Sequence, residues 1–169
     1  MQTTDIILKQ TSQSYEVQIT PQIKEVSFGI REGQLKTLSP EAIRAAAAQK
    51  QGVAIEDVVD HAETPEEIYK RQNDFFNSVI MDIQSLDFQP LEVPRILCVS
   101  HRGLIKRIVH NFTNHTLGSI DNCSVTTLRL QWDSSNGTRN IDVLESNVVE
   151  HLKDNMSDDY EHLWPRAEE

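Results

Sequence analysis

The sequence has little that suits a secreted, membrane-spanning or nucleic-acid-binding protein. Its 169 residues contain two cysteines, Cys98 and Cys123, which give neither a disulfide framework nor the spacing of a metal site. No apolar run approaches the ~20 residues of a membrane span, and no signal peptide is recognisable. A net charge of −10 argues against nucleic acid or an anionic membrane surface as the main partner. We therefore expect a cytoplasmic protein.

What is present is an ordinary globular composition. Hydrophobic residues make up 38% of the chain and charged residues 25%, and 169 residues suffice for one domain with a sizeable core. The negative charge would oppose a polyanionic substrate unless the site has a positive field of its own. From Lys153 the chain becomes acidic, and we expect residues 153–169 to form a frayed tail.

The stretch from Pro94 to Arg107 carries the clearest pattern in the chain. Ile96 to Val99 is a continuous apolar run, typical of a strand buried on both faces in a parallel sheet. After Gly103 the apolar residues recur at helical spacing, at Leu104, Ile105, Ile108, Val109 and Phe112. His101 thus lies on a turn between a strand and a helix, where α/β proteins bind ligands and anions. His101 is a candidate phosphate-site residue; the alternative is that it caps the helix or packs.

The tetrapeptide Ser100-His101-Arg102-Gly103 resembles the second histidine motif, Ser-His-Gly-Gly, of the histidine phosphatase (phosphoglycerate mutase-like) superfamily. The resemblance implies that His101 holds phosphoryl oxygens during catalysis. Arg102 replaces one glycine of the motif. If that glycine lets the backbone approach phosphate, the Arg102 side chain blocks the site; equally, its guanidinium could bind phosphate bidentately.

A second segment, from Glu25 to Gly33, resembles the third motif of the same superfamily, Glu-x-x-Phe/Tyr-Gly-x-x-Glu-Gly. Its two glycines, spaced by four, are also typical of a tightly folded loop. The first glutamate of the motif acts as general acid and base in the family, so the resemblance assigns that role to Glu25. A lone glutamate in a loop is otherwise usually solvated. The resemblance implies no metal and no other cofactor.

The amino-terminal residues read as a helix without a lead-in. Gln2-Thr3 resembles the end of the superfamily's Arg-x-x-Gln-Thr motif, although an ordinary short first helix is the alternative. The nucleophilic histidine of the family lies in an Arg-His-Gly motif, which does not occur in these 169 residues. The resemblance therefore implies that residues 1–152 are the C-terminal two-thirds of a histidine phosphatase domain. We expect a truncated form or a pseudoenzyme that is inactive and marginally stable alone.

Two further helices are predicted before the central stretch. Residues 40–51 are rich in alanine, a strong helix former, and predict a helix. Thr64-Pro65-Glu66-Glu67 supplies an N-cap, a proline at the first helical position and a capping-box glutamate. The apolar stripe that follows predicts a core-facing helix, with Ile68, Phe75, Phe76, Val79, Ile80 and Ile83. The segment from Glu63 to Phe76 resembles the corresponding helix of TIGAR-type fructose-2,6-bisphosphatases.

The remaining pattern is that of strands and turns. Val17 and Ile19 alternate with polar residues and predict a short strand. Residues 87–93 read as a linker. Thr126–Trp132 and Asn140–Leu144 alternate around Asp133-Ser134-Ser135-Asn136-Gly137, which predicts a β-hairpin.

Together the motifs imply an α/β protein with a three-layer αβα phosphoglycerate mutase-like sheet, from which the first strand and its helix are absent. The implied parent activity is hydrolysis of a phosphomonoester, such as fructose 2,6-bisphosphate, through a phosphohistidine intermediate. The implied partner is a phosphorylated small molecule. The alternative is a non-catalytic protein that retains half of a phosphate site and binds a phosphorylated ligand or a partner.

Overall fold

The computed structural model describes residues 2–11, 15–35, 37–85 and 93–153. Contacts divide the chain into two compact units, residues 1–104 and 105–169. The helices in the described ranges are α1 (Gln2–Lys9), α2 (Pro40–Gln51), α3 (Pro65–Ser85), α4 (Arg102–Thr113) and α5 (Glu150–Lys153). None of them is long and apolar enough to cross a membrane. The predicted linker at residues 87–93 and the predicted tail lie largely outside these ranges.

Helix α2 has the bounds that its sequence predicts. Ser39 caps it, with the side-chain oxygen accepting a hydrogen bond from the backbone N–H of Ala42 at 3.2 Å, and Gly52 ends it in the left-handed conformation. Its buried residues Ala47 and Ala48 pack against Val58, from the segment that follows, and Ile30, from the segment that precedes it. Arg44 holds the segment after α2 against the helix by donating hydrogen bonds to the carbonyls of Ile55, Glu56 and Val58.

Helix α3 begins with the predicted capping box. The Thr64 hydroxyl accepts a hydrogen bond from the N–H of Glu67 at 3.2 Å, and the Glu67 carboxylate accepts one from the N–H of Thr64 at 2.8 Å. The predicted core stripe is confirmed at Ile68, Phe75, Phe76 and Ile80, which are buried, whereas Val79 and Ile83 are partly buried. Gln72, which was not predicted, is buried with them. The two phenylalanine rings lie 5.4 Å apart at 60°, which makes them core residues rather than a ligand cage.

Two strand predictions in the first unit are wrong. Residues 15–20 and 93–100 are neither helix nor strand, and Ile19, Ile96 and Leu97 are 74%, 54% and 71% exposed. Cys98, expected inside a buried strand, is also exposed. The physical reason is pairing: a strand needs a neighbouring strand for its backbone groups, and the described part of the first unit contains none.

The predicted hairpin is confirmed in the second unit. Strands β1 (Val125–Asp133) and β2 (Thr138–Val148) pair antiparallel, with Leu130 opposite Ile141. The turn residues 134–137 close it, and Gly137 has a φ of +69° that suits glycine. This two-stranded sheet is the only one in the described residues. Helices and strands together are consistent with an α/β fold, and the three-layer arrangement stays a prediction.

The helical stripe after Gly103 is also confirmed, since Leu104, Ile108 and Val109 are buried in α4. His110 lies on the exposed side of the helix. The structure thus reproduces the turn into α4 that the sequence singles out, although the residues before it are not a strand.

Candidate functional site

The first unit brings the two predicted motifs side by side. The Ser100 hydroxyl donates a hydrogen bond to the carbonyl of Ile23 at 2.8 Å. Three residues later, the backbone N–H of Gly103 donates to the Glu25 carboxylate at 3.4 Å. His101 and Arg102 lie between these two contacts. The start of α4 therefore runs along the segment that carries Glu25, although the two motifs are 78 residues apart in the chain.

Gly103 is the position where this approach is closest. A Cβ atom at Gly103 would lie 2.7 Å from Oε1 of Glu25, closer than van der Waals contact allows, so only glycine admits the carboxylate there without a shift. The other oxygen contact is local, from the N–H of Val26 to Oε1 at 2.8 Å. Each carboxylate oxygen thus accepts one backbone hydrogen bond. The free N–H groups of the first turn of α4 suit a negative charge at this place.

The structure leaves the side chains of His101 and Arg102 exposed. Neither side chain makes a hydrogen bond or an ion pair with the described residues, so the polar groups of both side chains can bind a ligand. The imidazole, the guanidinium and the N–H groups at the amino end of α4 can all donate hydrogen bonds to phosphoryl oxygens. The structure brings Glu25 to the backbone of the second motif and keeps both side chains accessible to a ligand.

Two functional candidates that the sequence analysis missed hold the Glu25 segment in place. Arg71 and Glu63 form a bidentate ion pair, with distances of 2.6 Å from Nε to Oε1 and 2.9 Å from Nη2 to Oε2. Both side chains are largely buried, at 13% and 15% exposure. Arg71 lies on the core-facing side of α3, one turn from Ile68 and Phe75. A charged residue within an apolar helical stripe is the signal that could have revealed this internal pair.

Glu63 is bound to the same segment from the other end. Its carboxylate accepts a hydrogen bond from the N–H of Ser27 at 2.8 Å, and its N–H donates to the carbonyl of Ser27 at 3.0 Å. The hydrogen bonds from Arg71, above all, and that from Ser27 lower the pKa of Glu63, against the opposing effect of burial. Such a carboxylate stabilises the folded state only while it is ionised.

This lowered pKa predicts an acid-sensitive first unit. Because the folded pKa of Glu63 lies below the unfolded value, its contribution is complete above about pH 4.3 and is lost as the pH falls through the folded pKa. We expect the urea midpoint of wild type to fall over this acid range more than that of Glu63→Gln. The control is Glu66→Gln, at an exposed glutamate in the first turn of α3, and it should retain the wild-type slope. Identical acid slopes for wild type and Glu63→Gln would contradict the assignment.

The loop after Glu25 is folded tightly, as its two glycines predict. The Glu32 carboxylate accepts hydrogen bonds from the Ser27 hydroxyl and the Phe28 N–H, both at 2.9 Å. The Asp60 carboxylate accepts from the N–H groups of Ile30 and Ala62, both at 3.1 Å. Gly29 and Gly33 have φ values of +56° and +75°, the left-handed region that favours glycine. These contacts tie the loop to the residues that lead into α3.

The other described histidines lie elsewhere. His61 is exposed in the loop before α3, and its carbonyl accepts a hydrogen bond from the Ser27 hydroxyl at 3.3 Å. In the second unit, His151 Nε2 lies 3.0 Å from the carbonyl of Cys123. None of these histidines is placed at a strand end in an Arg-His-Gly setting. Across the described ranges, no three His, Cys, Asp or Glu side chains are grouped so that they could hold a metal ion.

A glutamate held at the amino end of a helix, next to the exposed residues His101 and Arg102, is an arrangement suited to acid–base chemistry on a phosphate ester. Comparison with known families agrees with this class. A sequence model of the histidine phosphatase superfamily (branch 1) matches residues 1–140, most of the 169-residue chain. The chain therefore belongs to the histidine phosphatase superfamily. No curated protein and no solved structure matches it. Membership indicates a phosphatase or mutase lineage.

Proposed function

We propose that this chain supplies the proton-transferring and phosphate-holding half of a histidine phosphatase site. The parent reaction is hydrolysis of a phosphomonoester such as fructose 2,6-bisphosphate. The observation that carries the proposal is the pair of contacts, Ser100 to Ile23 and Gly103 to Glu25, that align the two motifs around His101. Family membership supports the same reaction class.

The chemistry of a phosphomonoester explains why these residue types belong together. The ester is a dianion that repels nucleophiles, and its alkoxide leaves poorly unless it is protonated. In this proposal the His101 imidazole donates hydrogen bonds to the phosphoryl oxygens and stabilises their charge in the transition state. When the nucleophilic histidine forms its N–P bond and the ester P–O bond breaks, Glu25 gives its proton to the leaving oxygen. Glu25 then takes a proton from the water that attacks the phosphohistidine, which breaks the N–P bond and releases phosphate.

The nucleophile in this scheme is a histidine that the 169 residues do not present in an Arg-His-Gly setting. These residues are therefore proposed to bind the phosphoryl group rather than to turn it over by themselves. The same observation favours a second function, a non-catalytic protein that binds a phosphorylated ligand or partner through His101 and Arg102. Turnover by the chain discriminates the two functions, and binding of phosphate is common to both.

The test is phosphate binding by wild type and His101→Ala, together with an assay of this chain on a generic phosphomonoester and on fructose 2,6-bisphosphate. We expect no turnover and a rise in melting temperature with inorganic phosphate. Saturation at about a hundred times the dissociation constant corresponds to about 2.7 kcal/mol of added stability. We expect His101→Ala to lose this stabilisation. The matched control is His110→Ala, which removes an exposed histidine within α4 and should keep the stabilisation.

Two results would overturn the proposal or part of it. Equal stabilisation of wild type and His101→Ala by phosphate would exclude His101 from the site. Turnover that His101→Ala abolishes would show that the chain contains a nucleophile, and the non-catalytic function would be wrong. Arg102→Gly decides how Arg102 acts. Tighter phosphate binding in this variant means that the side chain blocks the site, and weaker binding means that the guanidinium is a ligand.

A further inference from the structure

We propose that the Arg71–Glu63 ion pair is a positioning device that holds the Glu25 carboxylate at the amino end of α4. This inference rests on the proposed function for the role of Glu25, and on the structure for the role of the pair. Neither side chain is expected to touch the substrate. Each acts through the backbone on which Glu25 is carried.

Hydrogen bonds from the ion pair anchor the backbone on both sides of Glu25. Before and at Glu25, Arg71 donates hydrogen bonds to the carbonyls of Gln22 at 2.7 Å, Lys24 at 3.1 Å and Glu25 itself at 3.4 Å. After Glu25, Glu63 makes two hydrogen bonds to the backbone of Ser27, one through its carboxylate and one through its N–H. Only Val26 separates the two anchored stretches, and Val26 is 3% exposed. The backbone at Glu25 therefore cannot shift without breaking hydrogen bonds to Arg71 or Glu63, or uncovering Val26.

The segment has few other means of holding its shape. Apart from the 3-10 turn at Pro21–Ile23, its residues up to Phe28 belong to no helix or strand. Backbone carbonyls that no helix or sheet satisfies need another donor. A single guanidinium supplies that donor at three carbonyls, so one side chain replaces a regular hydrogen-bond ladder.

The geometry requires arginine. A guanidinium has five N–H donors in a planar fork, and here the fork serves a carboxylate on one side and three carbonyls on the other. Lysine offers three donors at one point on a flexible stem and cannot span both sets. Largely buried as it is, the pair makes these bonds with little competition from water.

The hydrogen bonds of Arg71 and Glu63 to this segment set the distance between Glu25 and Gly103. The Glu25 carboxylate meets the Gly103 N–H at 3.4 Å, a long hydrogen bond that a small displacement of the Glu25 backbone would abolish. This contact therefore depends on the position of the Glu25 backbone rather than on the strength of the hydrogen bond. A proton donor must also lie within hydrogen-bond reach of the leaving oxygen, so a displaced Glu25 would fail as an acid even with its chemistry intact.

The experiment uses the Gly103 amide resonance of the full chain as a reporter. Glu25→Gln should shift this resonance in the wild-type background, because it removes the charge that the N–H faces. With Arg71→Met, which keeps the aliphatic stem, we expect Glu25→Gln to leave the Gly103 resonance unchanged. Arg71→Lys should restore only part of the response. Lys70→Met is the matched control, since it removes a neighbouring exposed cation that pairs with Asp74, and it should retain the full response.

The outcome that overturns the inference is a folded Arg71→Met in which Gly103 still responds fully to Glu25→Gln. If Arg71→Met does not fold, Glu63→Gln takes its place, because the neutral amide removes the ion pair that orients the Arg71 guanidinium toward the three carbonyls. The reporter needs no phosphate, so the result is independent of the proposed function. Phosphate added to wild type then tests that function separately: a failure to move the His101 and Gly103 resonances would contradict phosphate binding and leave the positioning result standing.

Discussion

Replacement of Gly29 by alanine is expected to destabilise the first unit by about 3 kcal/mol. The left-handed φ of +56° costs a non-glycine residue about 1–2 kcal/mol. The added Cβ would also overlap Oδ1 of Asp60 and lie 2.5 Å from the backbone N of Ala62, and overpacking of this kind adds about 1–3 kcal/mol. The Asp60 side chain can rotate away, but the Ala62 backbone cannot move without disturbing the residues that lead into α3.

The matched control for this prediction is Gly33→Ala in the same loop. Gly33 has a similar φ of +75°, and a Cβ built there meets no atom within 4 Å. This variant carries the conformational cost without the clash, about 1 kcal/mol. Urea unfolding of both variants gives the two free energies. Equal losses at the two glycines would show that the contact of Gly29 with Asp60 and Ala62 is not formed in solution.

The sequence predicted best those elements whose signals are local. The start of α3 follows from Thr64, Pro65 and Glu67 alone, because a capping box is satisfied within four residues. Helix α2 was predicted from its run of alanines, which is also a local signal. The β1–β2 hairpin depends on a turn and on alternation across it, both readable from neighbouring residues. In each of these cases the structure confirms the element where the sequence placed it.

The strand at Ile96–Val99 was predicted from a signal that is not local. An apolar run indicates that a segment suits a buried environment, whereas a strand forms only where another strand pairs with it. The described residues place no strand beside this run, and Leu97 is 71% exposed. The pattern of the sequence and the local environment therefore disagree at the segment that leads to His101.

The candidate site was predictable in part for a similar reason. The resemblance of two motifs indicated Glu25 and the turn at His101, and the structure brings the Glu25 carboxylate to the backbone N–H of Gly103. The role of Arg71 was hidden because its partners, from Gln22 to Glu25, lie 46 to 49 residues away. No helical or strand periodicity encodes a contact at that separation. Only the position of a charge within the apolar face of α3 hinted that the residue points inward.

Truncation of Phe76 is the other substitution with a large expected effect, a loss of about 4 kcal/mol. Phe76 is 6% exposed on the core-facing side of α3, and its ring packs against that of Phe75. Phe76→Ala removes a large apolar area and leaves a cavity that rigid neighbours fill poorly. Met81→Ala, on the same helix at 68% exposure, is the control and should change the stability by less than about 0.5 kcal/mol.

The comparison of these two variants also bears on the site. Because α3 carries Arg71, loosening its packing should release the Glu25 segment, so Phe76→Ala should weaken phosphate binding at temperatures where the chain is still largely folded. Circular dichroism melts with and without inorganic phosphate measure both effects on one sample. A loss of stability in Phe76→Ala with undiminished stabilisation by phosphate would mean that the phosphate site does not depend on the core packing of α3. In that case the segment around Glu25 would hold its shape without the helix that anchors it, and the ion pair of Arg71 with Glu63 would be an effect of the fold rather than a cause of the site's geometry.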